Sequence, residues 1–113
     1  MATAVHELGI VQRVIEIAAE ASGGARVTRI VLEIGKLSAI LPDAVRFAFD
    51  LATPDTVAEG AVLEIIETPG RASCRSCRAQ LVLDRPYGRC ACGETDLEWL
   101  SGDELRIKQM EVA

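Results

Sequence analysis

The sequence predicts an α/β fold of the α+β kind, in which two helices pack on a three-stranded sheet and carry an inserted four-cysteine, zinc-ribbon-like module. Three observations indicate this architecture. Two segments have apolar residues at helical spacing, three segments have the composition and period of strands, and all four cysteines fall between the second and third of these strands. The predicted order is therefore helix, strand, helix, strand, cysteine insert, strand.

The first helix is predicted to begin near the N-terminus and to end at Ser22-Gly23-Gly24. Its apolar residues recur at intervals of three and four, which is typical of a helix buried along a broad face. Consecutive glycines readily adopt the left-handed conformation that closes a helix. The predicted stripe consists of Leu8, Val11, Ile15 and Ala18, widened by Ile10, Val14 and Ile17.

The segment RVTRIVLEIG predicts the first strand, because β-branched residues alternate in it with a period of two. A second helix is predicted to start at Pro42, which suits a first helical turn, and Asp43 complements the positive end of the helix dipole. The segment TPDT ends this helix. Its expected core-facing stripe is Ala44, Phe47, Ala48 and Leu51.

The segment AVLEIIET predicts the second strand, and DELRIKQMEV, in which apolar and basic residues alternate, predicts the last one. Pro69-Gly70 marks a turn between the second strand and the cysteine segment. We therefore expect residues 1–69 and 103–113 to form one α/β domain and residues 70–102 to form a metal-binding module.

Charge is divided unevenly along the chain, whose formal net charge is −5. Residues 71–93 carry five arginines and one aspartate, a net of +4, which leaves −9 for the remainder. An acidic chain is a poor general binder of nucleic acid, because neutralising phosphates requires a surplus of lysine and arginine. The apolar runs fall short of the roughly 20 residues that span a bilayer. The N-terminus also lacks the features of a signal peptide, so we expect a cytoplasmic protein without a membrane partner.

The four cysteines form two short pairs, Cys74-Arg-Ser-Cys77 and Cys90-Ala-Cys92, which are separated by twelve residues. In a reducing compartment, clustered cysteines are more often metal ligands than disulfides. Four thiolates suit tetrahedral Zn²⁺, and such a closed site is structural because no coordination position is left for a substrate. The second pair is one residue shorter than a usual zinc knuckle, which leaves closure by all four sulfurs open. An iron–thiolate redox site and a dithiol switch also remain open.

The arginines of the cysteine segment have two interpretations. They offset the negative charge of the metal-bound thiolates, or they form a docking surface for an acidic partner or RNA. Tyr87 is the one aromatic residue interleaved with them, which favours the first interpretation. The five residues are Arg71, Arg75, Arg78, Arg85 and Arg89.

The single histidine, His6, stands beside Glu7 at the start of the first predicted helix. By residue type alone, a lone histidine at this place is more often an ordinary helix-start residue than a metal ligand. The sequence contains no Ser-His-Asp order, no glycine-rich phosphate loop and no cysteine outside the two pairs. We therefore expect that the protein is not an enzyme.

Over nearly its whole length the chain resembles the HypA/HybF family of hydrogenase maturation factors. A paired cysteine motif alone would be weak, but several segments match in the same order. These are HEL followed by VQRVIEIA, RVTRIVLEIGKLSAILPDAVRFAFDLAT, AEGAVLEIIETPGRASCRSC, the second cysteine pair with its trailing Cys-Gly, and GDELRIKQMEV.

The resemblance implies a nickel metallochaperone with two metals. Structural zinc would be held by the family's four cysteines, which are Cys74, Cys77, Cys90 and Cys92 in this sequence. Nickel would be bound near the N-terminus, at the positions of His6 and Glu7, and then transferred. Ni²⁺ favours square-planar nitrogen donors, which an imidazole, an α-amine and deprotonated backbone amides can supply.

The resemblance also implies partners. Family members pass nickel, with a HypB-type GTPase, to the large subunit of a [NiFe]-hydrogenase, and some serve urease maturation proteins. We expect a monomer or a weak homodimer. Two other functions stay open: a zinc-ribbon adaptor that bridges proteins or RNA without nickel transfer, and a small redox carrier with iron at the cysteines.

The chain departs from the family pattern at two places. The family's second cysteine pair is usually C-P-x-C, whereas this chain has Cys90-Ala-Cys92. The family's histidine directly follows the initiator methionine, whereas MATA and Val5 precede His6. A GTG codon is read as valine internally and as methionine at a start. We therefore hypothesise that the natural chain starts at Val5, which would give Met-His-Glu.

Overall fold

The computed structural model describes residues 2–113, and side chains are described from His6 onward. The hypothesis of a natural start at Val5 concerns Met1 and the side chains that follow it, so it lies outside the described residues. None of the helices within the described part of the chain is long and apolar enough to cross a membrane.

The predicted fold class is confirmed. Within residues 2–113, two α-helices accompany a three-stranded sheet with the order β2-β1-β6, and a second, smaller sheet has the order β4-β3-β5. The strands of the smaller sheet follow β2 and precede β6, as predicted for an insert. In chain order the elements are α1 (Ala2–Ser22), β1 (Val27–Gly35), a 3-10 helix (Lys36–Ser38), α2 (Pro42–Ala52), β2 (Val62–Thr68), β3 (Gly70–Cys74), β4 (Gln80–Leu83), β5 (Leu97–Ser101) and β6 (Leu105–Val112).

The chain divides into two compact units. The helical unit consists of Met1–Leu32, Ile40–Ile65 and Ile107–Ala113, and the cysteine unit consists of Glu33–Ala39 and Ile66–Arg106. Residues 70–102, which the sequence predicts as a separate module, lie within the cysteine unit. The division into residues 1–69 with 103–113 and residues 70–102 stays a prediction.

In the helical unit, α1 packs against α2. The buried positions of α1 include Val11, Val14 and Ala18, and the same stripe continues one turn earlier at Glu7. The predicted stripe of α1 is therefore correct in its centre, with Ile15 also buried, but Ile17 is 39% exposed. At the start of the helix, an acidic side chain occupies a core position.

The predicted core face of α2 is correct at Ala48 but is otherwise displaced by about one residue of helical phase. The structure buries Val45, Ala48 and Phe49, while Phe47 and Leu51 are 62% and 60% exposed. Successive helix positions differ by about 100°, so a shift of one residue moves the buried stripe to another face. Apolar residues occur on more than one face of α2, and their spacing alone therefore selects no single phase.

In the cysteine unit, three glycines allow backbone segments to touch where the chain leaves β2 and returns to β6. A methyl group on Gly35 would lie 2.0 Å from the Gly102 carbonyl oxygen. A methyl group on Gly102 would lie 2.4 Å from the Pro69 oxygen, and one on Gly70 would lie 2.4 Å from Leu37 Cγ. The Gly35 amide donates to the Glu104 oxygen (2.8 Å), and the Leu37 amide donates to the Gly102 oxygen (2.9 Å). Only hydrogen fits at these three positions.

A small core stands beside this glycine contact. Leu37, Ala72 and Leu83 are buried together, and Leu97 packs against them in part. Strand β3 pairs with both neighbours in antiparallel register, so that Ala72 lies opposite Leu81 on β4 and opposite Trp99 on β5. This register extends the strand as far as Cys74, where the first metal-binding turn begins.

We predict that Gly102→Ala lowers the free energy of unfolding by at least about 2 kcal/mol, because the methyl group meets backbone atoms and the residue has a φ of +93°. Urea denaturation measures the change. The matched control is Gly9→Ala on the exposed side of α1, where nothing lies within 4 Å of the added methyl group. That control should be neutral or more stable by up to about 1 kcal/mol. Equal stability of the two variants would contradict the close contact.

Candidate metal centre

The four cysteine sulfurs converge on one point. All four Sγ atoms lie within 4.8 Å of one another. The Cys74 and Cys92 sulfurs are 3.6 Å apart, as are the Cys77 and Cys90 sulfurs. Four sulfurs at about 2.3 Å around a tetrahedral zinc ion are about 3.8 Å from each other. The sulfur cluster therefore fits one structural Zn²⁺.

The first cysteine pair is held by a turn that starts at the end of β3. The Cys74 amide donates to the Ala79 oxygen (2.8 Å), and the Arg78 amide donates to the Cys74 oxygen (2.9 Å). Inside the turn, the Cys77 amide donates to the Cys74 sulfur at 3.4 Å. These bonds direct both sulfurs to the same side of the turn. Cys74 is buried, whereas Cys77 is exposed.

The shortened second pair closes by the same kind of turn with one residue fewer. The Cys90 amide donates to the Glu94 oxygen (2.9 Å), and the Gly93 amide donates to the Cys90 oxygen (2.8 Å). Each of these two hydrogen bonds therefore spans one residue fewer than the corresponding bond of the first turn. The structure brings Cys92 into the cluster despite the missing proline and residue.

In each turn, the residue after the second cysteine adopts the left-handed conformation. This residue is Gly93 in the second turn, with a φ of +97°, and Arg78 in the first turn, with a φ of +65°. Glycine adopts this conformation without steric cost, whereas a residue with a Cβ is strained by about 1–2 kcal/mol. The first turn therefore carries a side chain at a position that favours glycine.

The thiols of the cluster differ in proton affinity. The Cys77 amide, which donates to the Cys74 sulfur, lowers the pKa of the Cys74 thiol to about 7, although burial acts in the opposite direction. At Cys92 the amide of Glu94 lowers the pKa, but the neighbouring Cys74 and Cys90 thiols and burial outweigh it and raise the value to about 12. Metals bind thiolates, so metal binding at neutral pH displaces protons from this cluster and strengthens as pH rises.

The arginines of the cysteine segment are exposed and only some of them are engaged. Arg75 forms an ion pair with Asp96 at 3.1 Å. The guanidinium of Arg85 lies 5.7 Å from the ring centre of Tyr87, within the range of a cation–π contact. Neither contact distinguishes charge balance from a docking surface, so both interpretations stay predictions.

The two residues predicted to bind nickel lie side by side on α1 but point apart. His6 is exposed. Glu7 is 1% exposed, and both of its carboxylate oxygens lack a hydrogen-bond partner among the described residues. With α1 intact, the structure does not bring the two side chains to a common point. The sequence contains a signal for this burial, since residues 7, 11, 14 and 18 share one helical face, but the residue type suggests exposure.

The chain is similar to known nickel-incorporation proteins along nearly its whole length. Residues 5–112 match the sequence model of the HypA family, described as hydrogenase/urease nickel incorporation, metallochaperone. The hydrogenase maturation factor HypA of Trichormus variabilis is 54% identical over 107 residues, which cover 95% of each chain. The HypA proteins of Nostoc punctiforme and Geobacter metallireducens are 52% and 44% identical, covering 95% of this chain and 95% and 98% of theirs.

The fold is also similar to solved structures. The solution structure of the Ni metallochaperone HypA from Helicobacter pylori aligns with a TM-score of 0.66 at 23% identity and covers 94% of this chain and 96% of that one. A second solution structure of a HypA protein aligns with a TM-score of 0.62 at 24% identity, covering 96% and 97%. At this level of identity the likeness concerns the fold.

We predict that Cys92→Ala lowers zinc affinity by at least about a hundredfold, because one of four thiolate ligands is removed. Metal analysis of the purified protein should find about one zinc per wild-type chain, and competition with a chromophoric chelator measures the loss. Ser76→Ala is the matched control, since Ser76 lies in the first turn and is exposed. Unchanged zinc affinity in Cys92→Ala would show that the shortened pair does not close the site.

We predict that Arg78→Gly raises the free energy of unfolding of the zinc-loaded protein by about 1 kcal/mol, because it relieves a left-handed conformation. Urea denaturation is the measurement. Arg89→Gly is the control: it removes the same exposed charge type at a position that is not left-handed, and it should be neutral or destabilising. A larger loss of stability in Arg78→Gly than in Arg89→Gly would refute the strain.

Proposed function

The chain belongs to the HypA family of hydrogenase/urease nickel-incorporation metallochaperones, and on that premise we propose that it binds Ni²⁺ at His6 and delivers it for the maturation of a [NiFe]-hydrogenase. The match from residue 5 to residue 112, which includes His6 and all four cysteines, carries this proposal. Identities of about half over 95% of each chain support it.

The proposed roles of the two metals differ. Zinc on Cys74, Cys77, Cys90 and Cys92 would be resident and structural, because four protein ligands leave no open position. It would cross-link two turns that have little apolar core of their own. Nickel would be the cargo, so its site must release the ion to a partner, and an exposed position suits that task.

The exposed imidazole of His6 is the proposed anchor for nickel. Square-planar Ni²⁺ takes nitrogen donors, and deprotonated backbone amides beside the histidine can complete such a set. Because the Glu7 side chain is buried in the nickel-free structure, we propose that Glu7 contributes to the nickel site through its backbone amide rather than through its carboxylate.

The partners follow from the same family membership and are proposals for this chain. We propose a HypB-type nickel GTPase as the partner that assists nickel transfer and the hydrogenase large subunit as the acceptor, with urease maturation proteins as a second client. We further propose that the protein is a cytoplasmic binding and transfer module rather than an enzyme. Four cysteines gathered for one metal ion, rather than paired in disulfides, are typical of proteins of a reducing compartment.

We predict that His6→Ala weakens Ni²⁺ binding at least about tenfold relative to the wild type, because the imidazole ligand is lost. Isothermal titration with NiCl₂ on zinc-loaded protein measures it. The control is Glu20→Ala, which removes an exposed carboxylate from the same helix and should leave nickel binding unchanged. Equal affinity of wild type and His6→Ala would favour the zinc-ribbon adaptor over the metallochaperone.

A further inference from the structure

The Glu7 side chain is the feature of the helical unit that packing does not explain. It lies in the core stripe of α1, in line with Val11, Val14 and Ala18, and is 1% exposed. Both carboxylate oxygens lack a hydrogen-bond partner among the described residues. A buried polar group without a partner is unfavourable by the full cost of removing it from water. An apolar residue at this position would stabilise the packed helix.

The helix itself prevents a nickel site from forming at its start. In an α-helix each amide donates to the carbonyl four residues earlier. Because α1 runs from Ala2 to Ser22, the carbonyls of Ala2 and Thr3 lie four residues before the amides of His6 and Glu7, and these amides cannot bind an ion while the helix is intact. A site that combines the His6 imidazole with neighbouring amide nitrogens therefore requires the first turns to open.

We propose that Ni²⁺ binding opens the first turns of α1. In this proposal Glu7 is a positioning residue, and its unfavourable burial lowers the free energy required to open these turns. This inference rests on the proposed nickel site at His6 and concerns the chain that includes residues 2–5, not a chain that starts at Val5. Opening breaks backbone hydrogen bonds and frees the Glu7 carboxyl group, and the hydration of that group offsets part of the loss. The apparent affinity for nickel depends on the populated fraction of the open state, which Glu7 increases.

The role of Glu7 is tested by two substitutions of similar size. Glu7→Met removes the buried polar group, favours the closed helix and should weaken Ni²⁺ binding about tenfold. Glu7→Gln keeps a buried polar group, so it should weaken Ni²⁺ binding less than Glu7→Met does. Glu20→Met, at an exposed position of α1, is the control and should bind like the wild type. The measurement is isothermal titration with NiCl₂ on zinc-loaded protein.

Two further measurements follow the helix directly. Hydrogen–deuterium exchange should show that Ni²⁺ lowers the protection of amides in the first turns of α1 in the wild type. Without nickel, Glu7→Met should raise the thermal midpoint by about 3–6 °C, and Glu7→Gln should raise it less than Glu7→Met does. These readouts do not depend on hydrogenase activity.

The outcomes separate this inference from the proposed function. If His6→Ala binds nickel as tightly as the wild type, the nickel site and the role of Glu7 are both overturned. If binding requires His6 but Glu7→Met has wild-type affinity, or helix protection is unaffected by nickel, only the role of Glu7 is overturned. Equal weakening by Glu7→Met and Glu7→Gln would make the carboxylate a direct ligand and would likewise overturn the positioning role.

Discussion

The backbone contact among Gly35, Gly70 and Gly102 is the constraint on which the cysteine unit depends. The chain leaves β2 at Pro69 and returns to β6 past Gly102, and at that point the backbones touch with only hydrogen between them. Leu37 packs on Gly70 and joins Ala72 and Leu83 in the small core. Antiparallel pairing then carries β3 out to Cys74, where the first metal-binding turn starts. The position of the sulfur cluster thus follows from a contact made at the base of the unit.

The two cysteine turns reach the same cluster by different local means. The longer turn includes Arg78 in the left-handed conformation, and the shorter one has Gly93 in that role. Each closes with a pair of backbone hydrogen bonds, and these pairs differ in span by one residue. The spacing of cysteines in a sequence therefore limits metal binding less than the turn that the chain can form. In this chain, a shortened pair followed directly by glycine places its second sulfur in the cluster.

Structural features that depend on residues close together in the sequence were predicted, and features that depend on tertiary contacts were not. Periodicity located α1, β1, β2 and β6, and cysteine clustering located the candidate metal site. Each of these patterns consists of residues that are close together in the sequence. The predicted face of α2 was wrong except at Ala48, since Phe47 and Leu51 place apolar residues on the exposed face as well. The burial of Glu7 was missed because residue type argues against it, and the glycine contact because it joins residues far apart in sequence. The short strands β4 and β5 carry too few residues to show a period.

The contact between Pro69 and Gly102 can also be described in terms of polymer physics. It closes a long loop at its base, and the sulfur cluster closes smaller loops inside it, between Cys74 and Cys92 and between Cys77 and Cys90. The entropy lost on closing a loop grows with its length, so an inner closure costs less once the outer one is made. Base and metal cluster should therefore form cooperatively. In that sense the glycines at the base act as remote determinants of metal affinity, although they have no side chain that could bind an ion.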